Sequence, residues 1–353
     1  MEGEDDMKAV KVPKPFEIRI EDVPEPEVRA ETDVKIRITS GGICGSDVGI
    51  WNGTNSLAVY PRIIGHEFGG IVTETGKNVK SVKPGDQVTV DPVMSCGHCY
   101  ACRIGRHNVC STLEVLGVHR DGGFCEYVCV PEKNVHKFHT KMDEKMLSVA
   151  EPFTIGTEIN RRGQIGKGDQ VLIMGAGPIG IAAMQCAKRN GAEVLMTDLV
   201  PSRLDRAKRM GADRTVLIHP QGQQGKDQGQ ELDAELAAFT GGEGIPVVVD
   251  TVCIPSSFEQ SVQLASPAGR VVVIGLKNQP SRITMADITK KELTIVGSRL
   301  NCGCFDEVIE GLEDGTLHAE EFVTHVFPYY EVEKAFQMIR EHPQEVLKAV
   351  ITF

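Results

Sequence analysis

The sequence has 353 residues, of which 41% are hydrophobic and 25% charged, and this predicts a globular protein of about two or three domains. Such a composition excludes a mainly disordered or collagen-like chain, and no apolar run approaches the roughly 18 residues that a membrane-spanning helix needs. The formal net charge of −11 argues against a nucleic-acid partner, because a broad nucleic-acid surface needs clustered lysine and arginine.

Residues 1–10 have neither the basic region nor the apolar stretch of a secretory signal. We expect residues 1–6 to be a disordered acidic extension and the first strand to begin at Met7. The chain has eleven cysteines, and an odd number without a signal peptide fits a reducing compartment better than a disulfide scaffold. A cytoplasmic location is therefore expected.

The first 150 residues contain short β-rich fragments that glycine and proline interrupt. The clearest fragments are residues 36–38, 70–72, 87–90 and 126–130. This pattern predicts an irregular β-rich unit with long loops.

Three segments that are far apart in the sequence offer single metal-ligand candidates: Cys44, the pair His66 and Glu67, and Glu151. Each alone is a weak signal, since a lone cysteine usually packs in a core and a glutamate is usually solvated. Spacing cannot join these segments into one site.

A stronger signal follows in Cys96, Cys99, Cys102 and Cys110, whose spacing is C-x2-C-x2-C-x7-C. Four thiolates within fifteen residues can enclose Zn²⁺ tetrahedrally, and a closed site of this kind is structural. Clustered cysteines also bind iron–sulfur clusters, although nothing else in the sequence indicates electron transfer.

Beyond Gly166 the pattern changes to six short apolar runs, most of them separated by segments with helical character. The runs are residues 171–174, 194–197, 215–218, 247–249, 271–274 and 294–296. Buried strands that alternate with helices predict a parallel sheet covered on both faces, and six strands suit a doubly wound nucleotide-binding domain.

A glycine-rich loop lies between the first of these runs and the helix predicted after it. Its candidate cofactor-binding residues are Gly175, Gly177, Pro178, Ile179 and Gly180. In the G-x-G-x-x-G pattern the first glycine permits a tight turn, the second admits a pyrophosphate, and the third allows close helix–strand packing.

Asp198 directly follows the second run and ends the second predicted strand of this half, where a carboxylate can bind both ribose hydroxyls of a dinucleotide. It would repel a 2′-phosphate, so NAD is favoured over NADP. Arg203 either faces the adenosine ribose and phosphates or is a surface helix charge.

The Gln- and Gly-rich residues 221–230 predict a solvated loop. The chain after Gly297, with a helix expected at 331–340 and a strand at 348–353, is too short for a third domain. We therefore expect residues 1–152 and 298–353 to form a catalytic domain, and residues 153–297 a dinucleotide-binding domain.

The motifs G-G-I-C-G-S-D (41–47), G-H-E-F-G-G (65–70), the four-cysteine segment and G-A-G-P-I-G (175–180) occur in the order seen in zinc-containing medium-chain alcohol dehydrogenases. The chain resembles that family from about Met7 to Phe353. It is most similar to the polyol and sugar-acid branch, which includes sorbitol, threonine and L-galactonate or L-gulonate dehydrogenases. The resemblance implies an α/β fold with a GroES-like catalytic domain and a Rossmann domain.

It also implies one catalytic and one structural zinc. Cys44 and His66 match the ligands common to the family, while Glu67 and Glu151 match carboxylates of which either coordinates. Asp47 matches the carboxylate that orients the histidine, and Ser46 matches the hydroxyl that takes the substrate proton. Many relatives carry histidine where this chain has Gly49, so the proton's exit route is left open.

The implied reaction is hydride transfer from a secondary alcohol to NAD. The first candidate is L-galactonate or L-gulonate oxidised at C5, the second a neutral polyol such as sorbitol, and the third threonine. Arg299 matches a substrate-facing arginine, although a surface arginine is the alternative. Trp51 is either a pocket wall or a buried core residue.

The family generally forms dimers or tetramers, so a homo-oligomer is expected. Two other interpretations compete with the zinc dehydrogenase. A zinc-free quinone or enoyl reductase of the same superfamily would lack the zinc ligands that this chain retains. A non-catalytic binding protein on the same fold would be expected to have lost Ser46 or Asp47.

Overall fold

The computed structural model describes residues 6–219 and 226–353. Contacts between residues divide the chain into two compact units. The first, here called the β-rich unit, comprises Met1–Glu151, Cys302–Gly315 and Ala319–Phe353. The second, called the parallel-sheet unit, comprises Pro152–Asn301 and Thr316–His318. The predicted boundaries were 152/153 and 297/298, whereas the change of unit falls at 151/152 and 301/302.

The amino-terminal part of the chain is built mainly of strands. Its elements are β1 (Asp6–Lys14), β2 (Glu17–Pro24), β3 (Asp33–Ile43), α1 (Gly45–Trp51), β4 (Arg62–Ile63), β5 (Glu67–Thr75), β6 (Gln87–Val90), β7 (Val93–Met94), α2 (Tyr100–Arg103), β8 (Glu114–Val115), β9 (Tyr127–Pro131) and β10 (Val135–Lys137).

Alternating helices and strands follow. They are α3 (Ala150–Gly163), β11 (Gln170–Met174), α4 (Pro178–Arg189), β12 (Glu193–Asp198), α5 (Pro201–Arg209), β13 (Arg214–Leu217), α6 (Lys226–Thr240), β14 (Ile245–Asp250), α7 (Pro255–Leu264), β15 (Ala265–Val273), α8 (Met285–Thr289) and β16 (Thr294–Gly297). The remaining elements are α9 (Phe305–Glu313), α10 (Ala319–Phe322), β17 (Val323–Pro328), α11 (Val332–Glu341) and β18 (Lys348–Thr352).

The parallel-sheet unit contains a six-stranded sheet in the order β13-β12-β11-β14-β15-β16, with every neighbouring pair parallel. This is the 3-2-1-4-5-6 order of a doubly wound nucleotide-binding fold. Each of the six predicted apolar runs lies largely in one of these strands, and central residues such as Leu172 and Val248 are fully buried. The predicted α/β fold class is confirmed.

The β-rich unit is organised around a seven-stranded sheet in the order β10-β6-β5-β3-β18-β17, with β9 also paired to β3. At the end of β3, Gly42 pairs with Glu67 of β5 on one side and with Val350 of β18 on the other. Strand β18 therefore returns from the far end of the sequence to lie beside β3. This register determines which side chains meet at the candidate metal site.

Two segments differ from the sequence-based expectations. The predicted loop at 221–230 is wrong from residue 226 onward, because α6 begins at Lys226, while 221–225 lie outside the described residues. Burial of Leu236 and Phe239 against the sheet anchors this helix despite its polar start. Helix α3 was not predicted, because its Gly, Thr and Ile residues have low helix propensity. Burial of its apolar side chains outweighs that cost.

Candidate active site

The candidate site in the β-rich unit begins where β3 ends. Cys44 has an extended backbone (φ −98°, ψ 157°) and is the N-cap of helix α1. Its own N–H donates to Oδ2 of Asp47, three residues further on, at 2.9 Å. The helix start therefore fixes Cys44 and Asp47 relative to each other.

Asp47 also connects this helix to the segment before β5. Its Oδ1 accepts the N–H of Gly65 at 3.2 Å and lies 3.5 Å from Nδ1 of His66. The carboxylate is fully buried, so its charge acts on the imidazole with little screening. Burial alone would lower the pKa of His66, but Asp47 and Cys44 raise it well above the usual value. Such anionic surroundings favour a bound cation.

The ligand atoms of Cys44, His66 and Glu67 lie within 4.8 Å of one another. Thiolate, imidazole and carboxylate are all zinc ligands, and three protein ligands with one open position are typical of a catalytic zinc site. Nδ1 of the buried His66 faces Oδ1 of Asp47 at 3.5 Å, so Nε2 is the ring nitrogen that a metal would take. Ser46 places its hydroxyl 3.4 Å from Nε2 of the same ring. These residues fit a catalytic zinc ion.

Lys348 is a member of this site that the sequence reasoning missed. Its Nζ donates to both carboxylate oxygens of Glu67, each at 2.7 Å, and both side chains are almost fully buried. Burial alone would lower the pKa of Lys348, but Glu67 outweighs that effect and raises it. The only available signal was a lysine at the head of an apolar strand, 281 residues after its partner.

Gly42 makes room for the Glu67 carboxylate. A Cβ atom at this position would lie 2.3 Å from Oε2 of Glu67 and 3.2 Å from its Cβ. Any larger residue would therefore displace the carboxylate. The second glycine of G-G-I-C-G-S-D is required by this contact.

Glu151 lies in the first turn of α3 and is buried. Burial raises its pKa to about 8; His66 opposes this shift and Glu67 adds to it. Its charge thus interacts with the site, although its carboxylate is not part of the group of ligand atoms within 4.8 Å. The structure brings Cys44, His66 and Glu67 together and places Glu151 as a nearby buried carboxyl.

The four-cysteine segment forms a separate cluster in the same unit. Sγ–Sγ distances are 4.0 Å for Cys96–Cys102, 3.5 Å for Cys99–Cys102 and 3.9 Å for Cys99–Cys110. A tetrahedron with Zn–S bonds of about 2.3 Å has edges of about 3.8 Å. The four sulfurs therefore fit one tetrahedral zinc ion, with no coordination position left for substrate.

Backbone amides favour the thiolate form of two of these cysteines, whereas burial and the neighbouring thiol of Cys99 raise the pKa of Cys102 to about 11. N–H groups of His98 and Cys99 lower the pKa of Cys96, and those of Ser111 and Cys102 lower that of Cys99 to about 5. Thiolates are the form that binds metal. None of the cysteines in the described residues forms a disulfide.

A cavity of about 580 Å³ in the parallel-sheet unit lies beside the glycine-rich loop. The predicted cofactor residues that line it are Gly175, Gly177, Pro178, Ile179, Gly180, Asp198 and Arg203. Gly177 has no atom within 4 Å of where a Cβ would stand, so its backbone is open to a ligand. Gly175 has a φ of +99°, which a residue with a side chain rarely adopts.

Asp198 is held in place at the carboxyl end of β12. Its two oxygens accept the N–H groups of Ala176 at 2.8 Å and Val200 at 2.9 Å. Nη1 of Arg203 lies 3.9 Å from Oδ2. Arg203 therefore faces the cavity beside Asp198, where part of its charge is balanced.

Three further residues that the sequence pattern indicated lie outside the group of ligand atoms. Arg299 is half-buried in the segment after β16 of the parallel-sheet unit. In the β-rich unit, Trp51 packs edge-on against Phe16 and Phe336, with ring centroids 5.7 and 5.9 Å apart. A Cβ at Gly49 would lie 3.3 Å from the side chain of Asn55.

Among the described residues, no helix combines the length and hydropathy needed to cross a membrane. The model of the alcohol dehydrogenase GroES-like domain matches residues 30–140, and that of the zinc-binding dehydrogenase family matches residues 178–314.

The chain is similar over nearly its whole length to known proteins. It is 38% identical to the starvation-sensing protein RspB of Escherichia coli K12, covering 98% of this chain and 99% of that one. It is 34% identical to L-galactonate-5-dehydrogenase of the same strain, covering 97% of each. A crystal structure of the alcohol dehydrogenase RspB of Escherichia coli CFT073, complexed with NADH, has a TM-score of 0.90 at 39% identity and covers 99% of this chain and all of that one.

These matches confirm the resemblance seen in the sequence motifs, and they agree with the two zinc-type donor sets and the doubly wound sheet. The protein belongs to the zinc-containing medium-chain alcohol dehydrogenase family, in its polyol and sugar-acid branch, and is an oxidoreductase.

Proposed function

We propose that this protein oxidises a secondary alcohol of a sugar acid with NAD, and that L-galactonate or L-gulonate oxidised at C5 is its first candidate reaction. The observation that carries the proposal is the group of Cys44, His66 and Glu67 within 4.8 Å, beside Ser46. Whole-length similarity to L-galactonate-5-dehydrogenase supports the sugar-acid substrate. Neutral polyols come second, and threonine third.

Zinc bound by Cys44 and His66 would supply Lewis acidity that lowers the pKa of a substrate hydroxyl, and NAD would accept the hydride. Asp47 has the role of fixing the His66 ring, since its oxygens are held by two backbone N–H groups. Ser46 is proposed to take the substrate proton through its hydroxyl oxygen. With glycine at position 49, the proton then leaves to water, to a ribose hydroxyl or to another side chain.

Asp198 is proposed to bind the adenosine ribose of NAD. Each of its oxygens already accepts one backbone N–H and has a lone pair left for a ribose hydroxyl. A 2′-phosphate would place negative charge against this buried carboxylate. The site therefore favours NAD over NADP, with Arg203 beside the ribose or phosphates. Arg299 is proposed to anchor the substrate carboxylate.

The test is NADH formation by zinc-replete protein with a panel of aldonates, polyols and hydroxy amino acids, with NAD and NADP in parallel. We expect turnover of an aldonate with NAD, abolished by Cys44→Ser. The matched control is Cys129→Ser, which changes a half-buried cysteine of the same unit. If only a polyol is turned over, the substrate is a polyol and not a sugar acid. If no compound is turned over, the proposal is contradicted.

We also propose a homodimer or homotetramer formed through the parallel-sheet unit. Strand β16 is the edge of the six-stranded sheet, and Leu276 and Met285 are 71% and 86% exposed. Unpaired edges and exposed apolar side chains of this kind are commonly covered by a second subunit. Light scattering coupled to gel filtration would measure the assembly, and a monomer would contradict it.

A further inference from the structure

We propose that Lys348 is an internal counter-cation that competes with the catalytic metal for Glu67 and so keeps one metal coordination position exchangeable. Lys348 is in this sense a positioning residue that acts through Glu67. The inference rests on the catalytic zinc site of the proposed function. It adds a role for a residue outside the ligand set.

Hydrogen bonds and burial hold the ammonium of Lys348 in its present position. It has three N–H donors, of which two are given to the Glu67 oxygens at 2.7 Å, while the Ile43 carbonyl lies 3.4 Å away. The side chain is 2% exposed, so water cannot replace these partners at low cost. The backbone at Val350 and Ala349 is paired with β3, which fixes the lysine at the head of β18.

The Glu67 carboxylate has two possible cationic partners. It lies within 4.8 Å of the ligand atoms of Cys44 and His66, yet both of its oxygens contact Lys348. A carboxylate that shares its charge with an ammonium is a weaker metal ligand than a free one. A metal at this site therefore shares the Glu67 carboxylate with Lys348. A substrate oxygen can compete with Glu67 for the same coordination position.

Removal of the ammonium would leave Glu67 buried beside Cys44 and Glu151 without the charge of its hydrogen-bonded partner. An unpaired buried carboxylate lowers the stability of the metal-free protein. A divalent metal that binds Glu67 directly restores that stability. The consequence is that loss of Lys348 destabilises the metal-free protein and tightens metal binding. A residue with a merely structural role would, on removal, weaken the metal site.

The experiment measures Zn²⁺ affinity by competition with a chromophoric chelator, together with the visible spectrum of the Co²⁺-substituted site. The proteins compared are the wild type, Lys348→Met, Lys348→Arg, Glu67→Gln and the double variant Lys348→Met/Glu67→Gln. We expect Lys348→Met to bind zinc about tenfold more tightly or better, with an altered Co²⁺ spectrum. Lys348→Arg should retain wild-type affinity, and the effect of Lys348→Met should largely disappear in the Glu67→Gln background.

Unchanged or weaker zinc binding by folded Lys348→Met would overturn the inference, as would an equal effect in the Glu67→Gln background. If Lys348→Met does not fold, Glu67→Gln decides alone. If the metal shares Glu67 with Lys348, Glu67→Gln should lose less than about tenfold in zinc affinity. A larger loss in Glu67→Gln would overturn the inference. A wild-type protein that binds zinc only at the four cysteines would instead overturn the proposed catalytic site.

Discussion

Asp47 lies 3.5 Å from Nδ1 of His66, and two backbone N–H groups hold its carboxylate in that position. The carboxylate therefore faces the imidazole from a fixed point in the fold.

Replacing Asp47 with Asn keeps the size of the side chain but removes the charge facing His66. We expect zinc affinity and kcat/KM to fall about 10- to 100-fold, because partners of ligating histidines have effects of this size. Zinc retention under a chelator and steady-state kinetics measure the change. Asp121→Asn is the control, since Asp121 also accepts a backbone N–H in this unit but is largely exposed. Equal losses in both variants would contradict the orienting role.

Gly42→Ala would place a methyl group 2.3 Å from Oε2 of Glu67. We expect displacement of the Glu67 carboxylate to weaken zinc binding at Cys44 and His66 by up to about tenfold, and the free energy of unfolding to fall by about 1–3 kcal/mol from overpacking. Zinc affinity measured against a chelator, zinc content per chain and urea denaturation provide the readouts. Gly166→Ala is the matched control, because a Cβ at Gly166 meets no atom within 4 Å. A variant with normal zinc content would show that the Glu67 carboxylate can move at little cost.

Asp198→Asn is expected to weaken NADH binding about tenfold. It should also reduce the ratio between the affinities for NADH and NADPH. A neutral amide offers one acceptor oxygen instead of two and no longer repels a phosphate. Titration calorimetry with both cofactors measures the two affinities. Asp205→Asn changes an exposed aspartate of the following helix and should alter neither. If the preference is unchanged in Asp198→Asn, cofactor selection lies elsewhere in the cavity.

Cys102→Ser should remove the zinc of the four-cysteine cluster without removing the other. We expect the metal content to fall by one ion per chain and the free energy of unfolding to fall by about 2 kcal/mol or more, because structural zinc contributes directly to folding. Metal analysis and urea denaturation measure both effects, with Cys129→Ser as control. Loss of both ions together would mean that the two sites are not independent.

Burial, together with the charge of Asp121, raises the pKa of the Cys125 thiol to about 12. In the unfolded chain the thiol ionises near pH 8.5, so between about pH 8.5 and 12 the unfolded state loses a proton that the folded state keeps. Stability should therefore fall as pH rises through this range, by about 1.4 kcal/mol per pH unit for this thiol. Cys125→Ala should reduce the slope of the unfolding free energy against pH above pH 9. Parallel curves for the two proteins would contradict the raised pKa.

The parallel-sheet unit was predictable because its signals are local. Each buried strand is a continuous apolar run, and the glycine-rich loop follows directly after Met174. The ligand candidates of the β-rich unit were recognised from short motifs, each of which lies within a few residues of a strand or helix end. Nothing local, however, joins Cys44 to Glu151.

The pairing of Glu67 with Lys348 could not be predicted in this way. It depends on the register of β18 against β3, and a shift of one residue would point Lys348 to the other face of the sheet. Helix α3 was missed for a related reason, since its stability comes from burial of Phe153 and Ile159 rather than from helix propensity. Contacts of this kind are set by the fold as a whole.

Strand β18 lies between β3 and β17 in the sheet, yet it is the last strand that the ribosome completes. Lys348 is translated 281 residues after Glu67, which corresponds to a delay of roughly 14 to 56 s at about 5–20 residues per second. All but three residues of the parallel-sheet unit are translated before Cys302, so that unit can fold first. During this interval Glu67 has been synthesised, but the strand that carries its counter-charge, Lys348, has not.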